Sequence, residues 1–371
     1  MSFDIGSVVS HFRIDGEMIY SEPFGCGHIN DTYVIYCKRE TAPPVRYILQ
    51  RINSEIFDVK KLMHNICLVT DYLKERIAAE GGNPYQSTLT LIKTTDDASY
   101  YGDEEHNCFR IYNFIENTVS YQRAASAKVL LNAGSAFGHF QKLLFDFDAS
   151  LLYEIIPDFH NTGKRFEAFE AAVRDAIKER AASAMQEIEF IRARAGYCDE
   201  IVSGLKSGKI PLRVTHNDTK LNNILMNPDT DESVCIIDLD TIMPGSLLYD
   251  FGDSIRFGAN TALEDETDLS KVKFDLEMFE AYTRGFMEEM GEYMTEAEVD
   301  LLPFSCILMT YECGMRFLAD YLTGDTYFKT THETHNLERA RNQFKIVSDM
   351  EEKLDDMKAA VKHAIRDGKI S

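Results

Sequence analysis

Apolar and polar positions alternate over two short runs near the start of the chain, Tyr33 to Cys37 and Arg46 to Arg51, and this period of two predicts strands. The period then lengthens. From Asp58 to Ala79 the residues Leu62, Ile66, Val69, Leu73 and Ile77 recur every three or four positions, which predicts one amphipathic helix. A polar, hairpin-like stretch from Asp96 to Asn107 leads into the apolar segment Cys108 to Ile115, and Glu116-Asn-Thr118 after it reads as a linker. Helical patterns dominate beyond Ala124, first to Leu144 and then across a charge-rich stretch from Lys164 to Arg194. Between Pro211 and Gly258 the pattern breaks into short apolar runs separated by tight polar loops, with Asn227-Pro-Asp-Thr-Asp-Glu232 as a turn between two strands. Helices return from about Leu276 to a last segment, Glu351 to Ile365. The chain therefore reads as an α+β protein of two lobes: a small β-rich lobe over residues 1–115 and a larger, mainly helical lobe over 116–371.

Composition agrees with two lobes, because 371 residues exceed what one core usually supports, and 44% hydrophobic residues exclude wholesale disorder. A net charge of -22 repels phosphate backbones and anionic bilayers, so neither nucleic acid nor membrane is an expected partner. The opening MSFDIGSVVSHF carries Asp4 where a leader would carry positive charge, and no run reaches 18 apolar residues; a cytoplasmic chain is the expectation. Eight cysteines without a CxxC pair read as reduced core thiols. His332-Glu-Thr-His335 spaces its histidines three positions apart where a zinc helix needs four, and it is set aside as a metal site.

The chemistry concentrates in one stretch. His216-Asn-Asp218-Thr-Lys-Leu-Asn-Asn223, then the apolar strand Val234-Cys-Ile-Ile ending in Asp238-Leu-Asp240, has the His-x-Asp-x-x-x-x-Asn spacing of a kinase catalytic loop followed by its metal loop. Phosphoryl transfer needs a carboxylate that orients the acceptor hydroxyl and takes its proton, and Asp218 fits that role. It also needs oxygen ligands for Mg²⁺, which Asn223 and Asp238 would supply from two sides, with His216 bracing the loop. Tyr249-Asp250-Phe-Gly252 imitates the metal triplet of protein kinases, but it lies too far beyond Asn223, and Asp250 is expected to brace the catalytic loop from a helix start.

With these residues in view, the sequence resembles the aminoglycoside phosphotransferase and choline kinase-like superfamily. Within it, Gly27-His-Ile-Asn-Asp-Thr-Tyr33, the His216–Asn223 loop, Ile237-Asp-Leu-Asp240-Thr, Pro244 to Gly258, and Glu312-Cys-Gly-Met-Arg316 are similar to the N-acetylhexosamine 1-kinase family, across about residues 23 to 328. The resemblance implies a bilobal protein-kinase-like fold, ATP and Mg²⁺ as cofactors, and phosphate transfer to the anomeric C1 hydroxyl of N-acetylglucosamine or N-acetylgalactosamine. It implies phosphate contacts at Gly25 and Gly27 and adenine-side contacts at Asn113 and Ile115. It also implies sugar contacts at His28, Asn30, Asp218 and Arg316. Tyr47-Ile-Leu-Gln-Arg51 has no lysine for the phosphates, so Arg51 is the expected substitute, with Gln50 on the opposite face. The helix from Val59 to Thr70 carries no carboxylate to pair with such a cation. Arg316 has a competing reading as a surface ion pair with Asp320 one turn on. Phe159-His160-Asn-Thr162 is also similar to the family, without a physical role of its own. Two other functions remain open: a kinase for another small alcohol, such as an aminoglycoside, choline or a homoserine-like compound, or a non-catalytic, pseudokinase-like binding module.

Overall fold

The structure is a computed structural model that describes residues 3–25 and 29–368. After helix α1 (Ile5–Val9), strands β1 (Glu17–Pro23), β2 (Asp31–Lys38) and β3 (Val45–Ile52) form an antiparallel meander. The chain then passes through α2 (Val59–Ala79) and the short α3 (Pro84–Ser87). It returns as β4 (Leu91–Ile92), β5 (Tyr101–Gly102) and β6 (Cys108–Asn113), and β6 lies against β3 to give the sheet order β1-β2-β3-β6-β4, with β5 also on β6. α2 forms where the apolar period predicts it. The Asp58 carboxylate accepts from the backbone N–H of Lys60 and Lys61, and Leu62, Ile66, Val69, Leu73 and Ile77 are all buried.

The sheet is covered on both faces, and this decides which side chains reach the cleft. Tyr47 and Leu49 of β3 pack with Phe109 and Ile111 of β6 under Val8, Val9 and Phe12 at the N-terminus. Ile52 and Tyr112 face the other way, into the main core with α2. Alternation along each strand therefore puts Gln50 and Arg110 on the inner face, where they are register partners, and Arg51 on the outer one.

The remainder is mainly helical. Helices α4 (Ala127–Leu143), α5 (Thr162–Arg174), α6 (Lys178–Ser183), α7 (Met185–Arg192) and α8 (Glu200–Ser207) come first, the charge-rich stretch from Lys164 resolving into three separate helices. Four short strands follow, β7 (Arg213–Thr215), β8 (Ile224–Met226), β9 (Ser233–Ile236) and β10 (Met243–Gly245), paired as β7 with β10 and β8 with β9. The last five helices are α9 (Leu247–Gly258), α10 (Leu276–Met290), α11 (Glu296–Thr323), α12 (His335–Glu352) and α13 (Leu354–Gly368). α11 starts in a capping box between Thr295 and Glu298, and the same buried Glu298 receives the Arg213 guanidinium of β7 at 2.6 and 2.8 Å. The residues leading into the polar loops are thus tied to the longest helix. Among the described residues no helix is long and apolar enough to cross a membrane.

Helices α4 and α10 touch backbone to backbone through glycine. A Cβ on Gly285 would stand 2.0 Å from the Leu131 carbonyl oxygen, and one on Gly134 would stand 2.1 Å from that of Tyr282. Neither oxygen can move without moving its helix. Gly285→Ala should therefore cost about 3 kcal/mol, at the upper end of overpacking penalties, despite the better helix propensity of alanine. Gly196→Ala, where nothing lies within 4 Å of the new atom, should leave the melting temperature within a degree or two. Thermal denaturation of the pair checks this, and equal melting temperatures would show that the helices part easily.

Candidate active site

β7 delivers the chain into His216–Asn223, and the β8–β9 hairpin folds back so that Ile237 N–H donates to the Asn223 carbonyl oxygen at 2.9 Å. That hairpin brings Asp238 beside Asn223, although 14 residues intervene in the sequence. The loop takes its shape from one buried carboxylate. Asp250, 1% exposed in the first turn of α9, accepts from the backbone N–H of His216 at 2.9 Å and of Asn217 at 2.7 Å, and from Gln141 Nε2 at 2.7 Å. Asn217 is left-handed, with φ 64°, and its amide donates to the carbonyl oxygens of Thr215 and Thr241. His216 Nε2–H donates to the Ile237 carbonyl oxygen at 2.9 Å, while Nδ1 accepts from Asp218 N–H, so this imidazole joins the two loops. The expected braces, His216 and Asp250, thus hold the loop from opposite sides.

Asp218 lies between Lys220 Nζ, 2.9 Å from Oδ1, and Asn223 Nδ2, 3.0 Å from Oδ2, with its side chain 28% exposed. Burial alone would raise its pKa, but Lys220, and to a lesser degree His216 and Asn223, hold it below the usual carboxylate range. Asn223 spends its amide N–H groups on Asp218, and among the described residues no donor reaches its Oδ1. Asp238 is left-handed, with φ 62°, and its carboxylate takes no hydrogen bond among the described residues. Solvent reaches it from the cleft. Desolvation by the surrounding loops, with the charges of Asp240 and Asp218 added, raises its pKa. An oxygen from Asn223 and a carboxylate from Asp238, both without other partners, fit a hard divalent cation that completes its shell with phosphate and water.

The N-terminal candidates divide. Gly25 has φ +78° and nothing within 4 Å of a would-be Cβ, which suits an open turn, whereas Gly27 and His28 lie outside the described residues. Asn30 reaches the metal loop, its Nδ2 donating to Asp240 Oδ2 at 2.5 Å, but its Oδ1 is taken by Asn53 N–H. Arg51 does not reach the phosphate side: on the outer face it pairs with Asp31 and stacks near Phe3. Gln50 instead faces Arg110, a fully buried cation ion-paired with Asp240. Both ends of the Asn113 amide bond to backbone, at Thr90 and Tyr85, and the Ile115 side chain is in the core, which leaves only their backbone for a ligand. Among the described residues Ile115 N–H makes no hydrogen bond.

Arg316 of α11 is half-buried and makes no ion pair among the described residues; its guanidinium carbon lies 5.6, 5.8 and 5.5 Å from the rings of Phe159, Tyr327 and Phe328. Asp320 is occupied elsewhere, accepting from the backbone N–H groups of Thr326, Tyr327 and Phe328 and from Asn336. The surface ion pair is therefore not formed. The Phe159–Thr162 segment gains a physical role here, since His160 Nδ1 lies 2.8 Å from buried Glu312 and Thr162 donates to the same carboxylate at 2.5 Å. Burial pushes the Cys313 thiol up to about 11 against the pull of both Arg256 and Arg316, which lie near it. Arg256 is in turn bonded to Asp253, and Asp253 accepts from Thr219 N–H beside Asp218. A cavity of about 350 Å³ opens along this side of the loop, between Lys220, Asn222, Phe257, Glu264, Arg339 and Phe137.

The family model of the phosphotransferase enzyme family matches residues 22–286, which include the sheet from β2 onward, the catalytic loop and the metal loop. The chain belongs to that family. An aminoglycoside phosphotransferase from Alicyclobacillus acidocaldarius superposes with a TM-score of 0.61 at 12% identity, over 99% of this chain and 97% of that one. A microcompartment-associated aminopropanol kinase gives 0.60 at 12% identity, over 95% and 97%. An amicoumacin kinase solved with AMP-PNP, Ca²⁺ and amicoumacin gives 0.57 at 12% identity, over 92% and 93%. The architecture is the protein-kinase-like fold of these phosphotransferases, a sheet-built N-terminal region on a larger helical one.

Sequence reasoning missed Lys220, Glu312 and Arg110. Only Arg110 had a legible signal, as the one charge inside the apolar run Cys108 to Ile115. The two acids Asp238 and Asp250 should separate on stability. Asp250→Ala strands three buried donors and should cost more than about 3 kcal/mol, whereas Asp238→Ala, which breaks no hydrogen bond, should melt close to the parent. Urea denaturation of both variants reads the difference, and the reverse order would assign the brace to the wrong acid.

Proposed function

We propose that the chain transfers the γ-phosphate of ATP to the anomeric C1 hydroxyl of an N-acetylhexosamine, N-acetylglucosamine or N-acetylgalactosamine. The observation that carries the phosphoryl-transfer part is the setting of Asp218. It is kept ionised by Lys220 and Asn223 yet partly open to the cleft, next to two oxygen donors that have no partner among the described residues. Asp218 accepts the proton of the C1 hydroxyl as that oxygen attacks the γ-phosphorus and the bond to ADP breaks. Lys220, on the other side of Asp218, lies where a cation offsets charge on the transferred group. Asn223 and Asp238 would hold Mg²⁺, which when bound neutralises phosphate charge and fixes phosphate orientation. One similar structure, the amicoumacin kinase, holds AMP-PNP, which supports ATP as donor.

For the acceptor, the resemblance to N-acetylhexosamine 1-kinases is joined by the character of the surroundings of Arg316. A guanidinium without an ion pair among the described residues, near three aromatic rings, offers several N–H donors to hydroxyl or amide oxygens and apolar surface to a methyl group. The Arg316 charge also lowers the pKa of nearby Arg165, whose burial is the larger cause. Two guanidiniums that close disfavour a cationic acceptor there. An amino-alcohol acceptor is the second reading, favoured by the carboxylate of Glu264 at the cavity wall, although Arg256 already pairs with it.

Asp218→Asn should lower turnover by about 10²- to 10⁴-fold, the usual contribution of a positioned base, while the melting temperature stays near that of the parent. Steady-state ATP consumption checks this; turnover within tenfold would remove Asp218 from its role. With both hexosamines, choline and glucose offered in turn, the hexosamines should give the highest kcat/KM and a C1 phosphate by product NMR. Choline outperforming them would favour the second reading. Arg316→Ala should raise the hexosamine KM about ten- to hundredfold, the loss of roughly 1.5–3 kcal/mol of charged hydrogen bonding, with nucleotide affinity unchanged. An unchanged KM would exclude Arg316 as a sugar contact.

A further inference from the structure

Arg110 has 1% of its surface exposed and is the largest fully buried side chain among the described residues. A guanidinium is costly to take out of water and is tolerated only where partners meet it. Here Nε and Nη2 both donate to Gln50 Oε1, at 3.0 and 2.8 Å, and Nη2 lies 2.6 Å from Asp240 Oδ1. Gln50 is itself oriented, its Nε2 donating to Thr32 Oγ1 at 3.1 Å. The second oxygen of Asp240 accepts from Asn30, and Asn30 is fixed by Asn53 N–H. Residues from β3, β6 and the segment just before β2 thus converge on one carboxylate of the metal loop.

That carboxylate belongs to the short 3₁₀ turn Leu239–Thr241, which Asp238 caps in a left-handed conformation. A non-glycine residue keeps such a backbone only where its surroundings over-determine it. On the far side Thr241 is held by the catalytic loop, since its hydroxyl donates to the His216 carbonyl oxygen and its own carbonyl accepts from Asn217. On the near side Asp240 is held by the sheet. Asp238 is therefore aimed by two clamps, one from each lobe. One donor of the pair is also left over: among the described residues Arg110 Nη1 has no acceptor, and Asp240 Oδ1 meets the cation without a well-aligned hydrogen bond. A pair kept for stability alone gains nothing from open valences.

We propose that Arg110 is a positioning residue for phosphoryl transfer, acting through Asp240 to fix the metal loop against the sheet, in place of an inward-facing cation on β3 and of an acid in the Val59–Thr70 part of α2. The inference rests on the phosphoryl-transfer reading and is independent of the acceptor.

The test compares the full-length parent with Arg110→Met, Arg110→Lys and the double variant Arg110→Met/Asp240→Leu. Mn²⁺·AMP-PNP binding is measured by isothermal titration, and stability by thermal denaturation. Arg110→Met should weaken Mn²⁺·AMP-PNP binding at least tenfold and lower the melting temperature. Arg110→Lys should recover part of both, because a lysine keeps the charge but not the fork. The double variant should recover the melting temperature, since an apolar pair of similar volume often replaces a buried ion pair without loss, but not the affinity. Parental affinity in Arg110→Met, or in the double variant should the single one fail to fold, would overturn the proposal. A parent that binds no Mn²⁺·AMP-PNP would overturn the phosphoryl-transfer reading itself and this inference with it, a result distinct from the others.

Discussion

Asp250 is a carboxylate buried almost completely, and its charge is met by N–H groups alone: two from consecutive backbone positions of the catalytic loop and one from Gln141 of α4. Because those donors are neutral, the carboxylate stays costly unless all three are in place, so the loop has one conformation that satisfies it. The constraint propagates. With His216 and Asn217 fixed, Asp218 projects from a rigid turn, and Asn223 follows at the start of the β8–β9 hairpin that returns Asp238 to its side. α9, which supplies Asp250, is nearly all buried, so the acid is seated in the helical core and the loop inherits its rigidity. Positioning to within fractions of an ångström is what phosphoryl transfer asks of a protein that performs little covalent chemistry itself.

Much of this was legible in the sequence because it is local. α2 announces itself by its period, and the juxtaposition of Asp218, Asn223 and Asp238 follows from a loop and one hairpin. What was hidden depends on pairing across the chain. Whether Gln50 or Arg51 faces the cleft is decided by which face of the sheet α1 covers, and α1 and β1 were not foreseen. Arg110 and Asp240 are 130 positions apart, and no local pattern pairs them. Arg316 and Asp320 illustrate the opposite error, in which good helical spacing suggests a contact that does not form. The loop after α11 presents three backbone N–H groups to Asp320, a stronger claim than one half-buried guanidinium.

The overall acidity of the chain does not announce the cations gathered at the site. Lys220, Arg110, Arg165, Arg256 and Arg316 all lie within or beside the cleft, although acids outnumber bases 61 to 39 overall. Most of these cations are paired, Lys220 with Asp218, Arg110 with Asp240 and Arg256 with Asp253, so the site offers fixed N–H donors to oxygen-rich ligands while the outer surface repels polyanions. Net charge thus describes the company the molecule avoids and says little about the ligand it holds.

α11 spans the site from end to end. Glu298, in its first turn, holds Arg213 at the entry to the catalytic loop, and Arg316 lies 18 residues further on, about 27 Å along the axis at 1.5 Å per residue. The helix therefore acts as a ruler between the catalytic loop and the aromatic rings around Arg316. Substitutions along it change the packing of one layer, but a single inserted residue would turn everything beyond it by about 100° and carry Glu312 away from His160 and Arg316 away from its aromatic rings. Changes of length should accordingly be absent from the middle of this helix among functional relatives, and gather in the loops at its two ends.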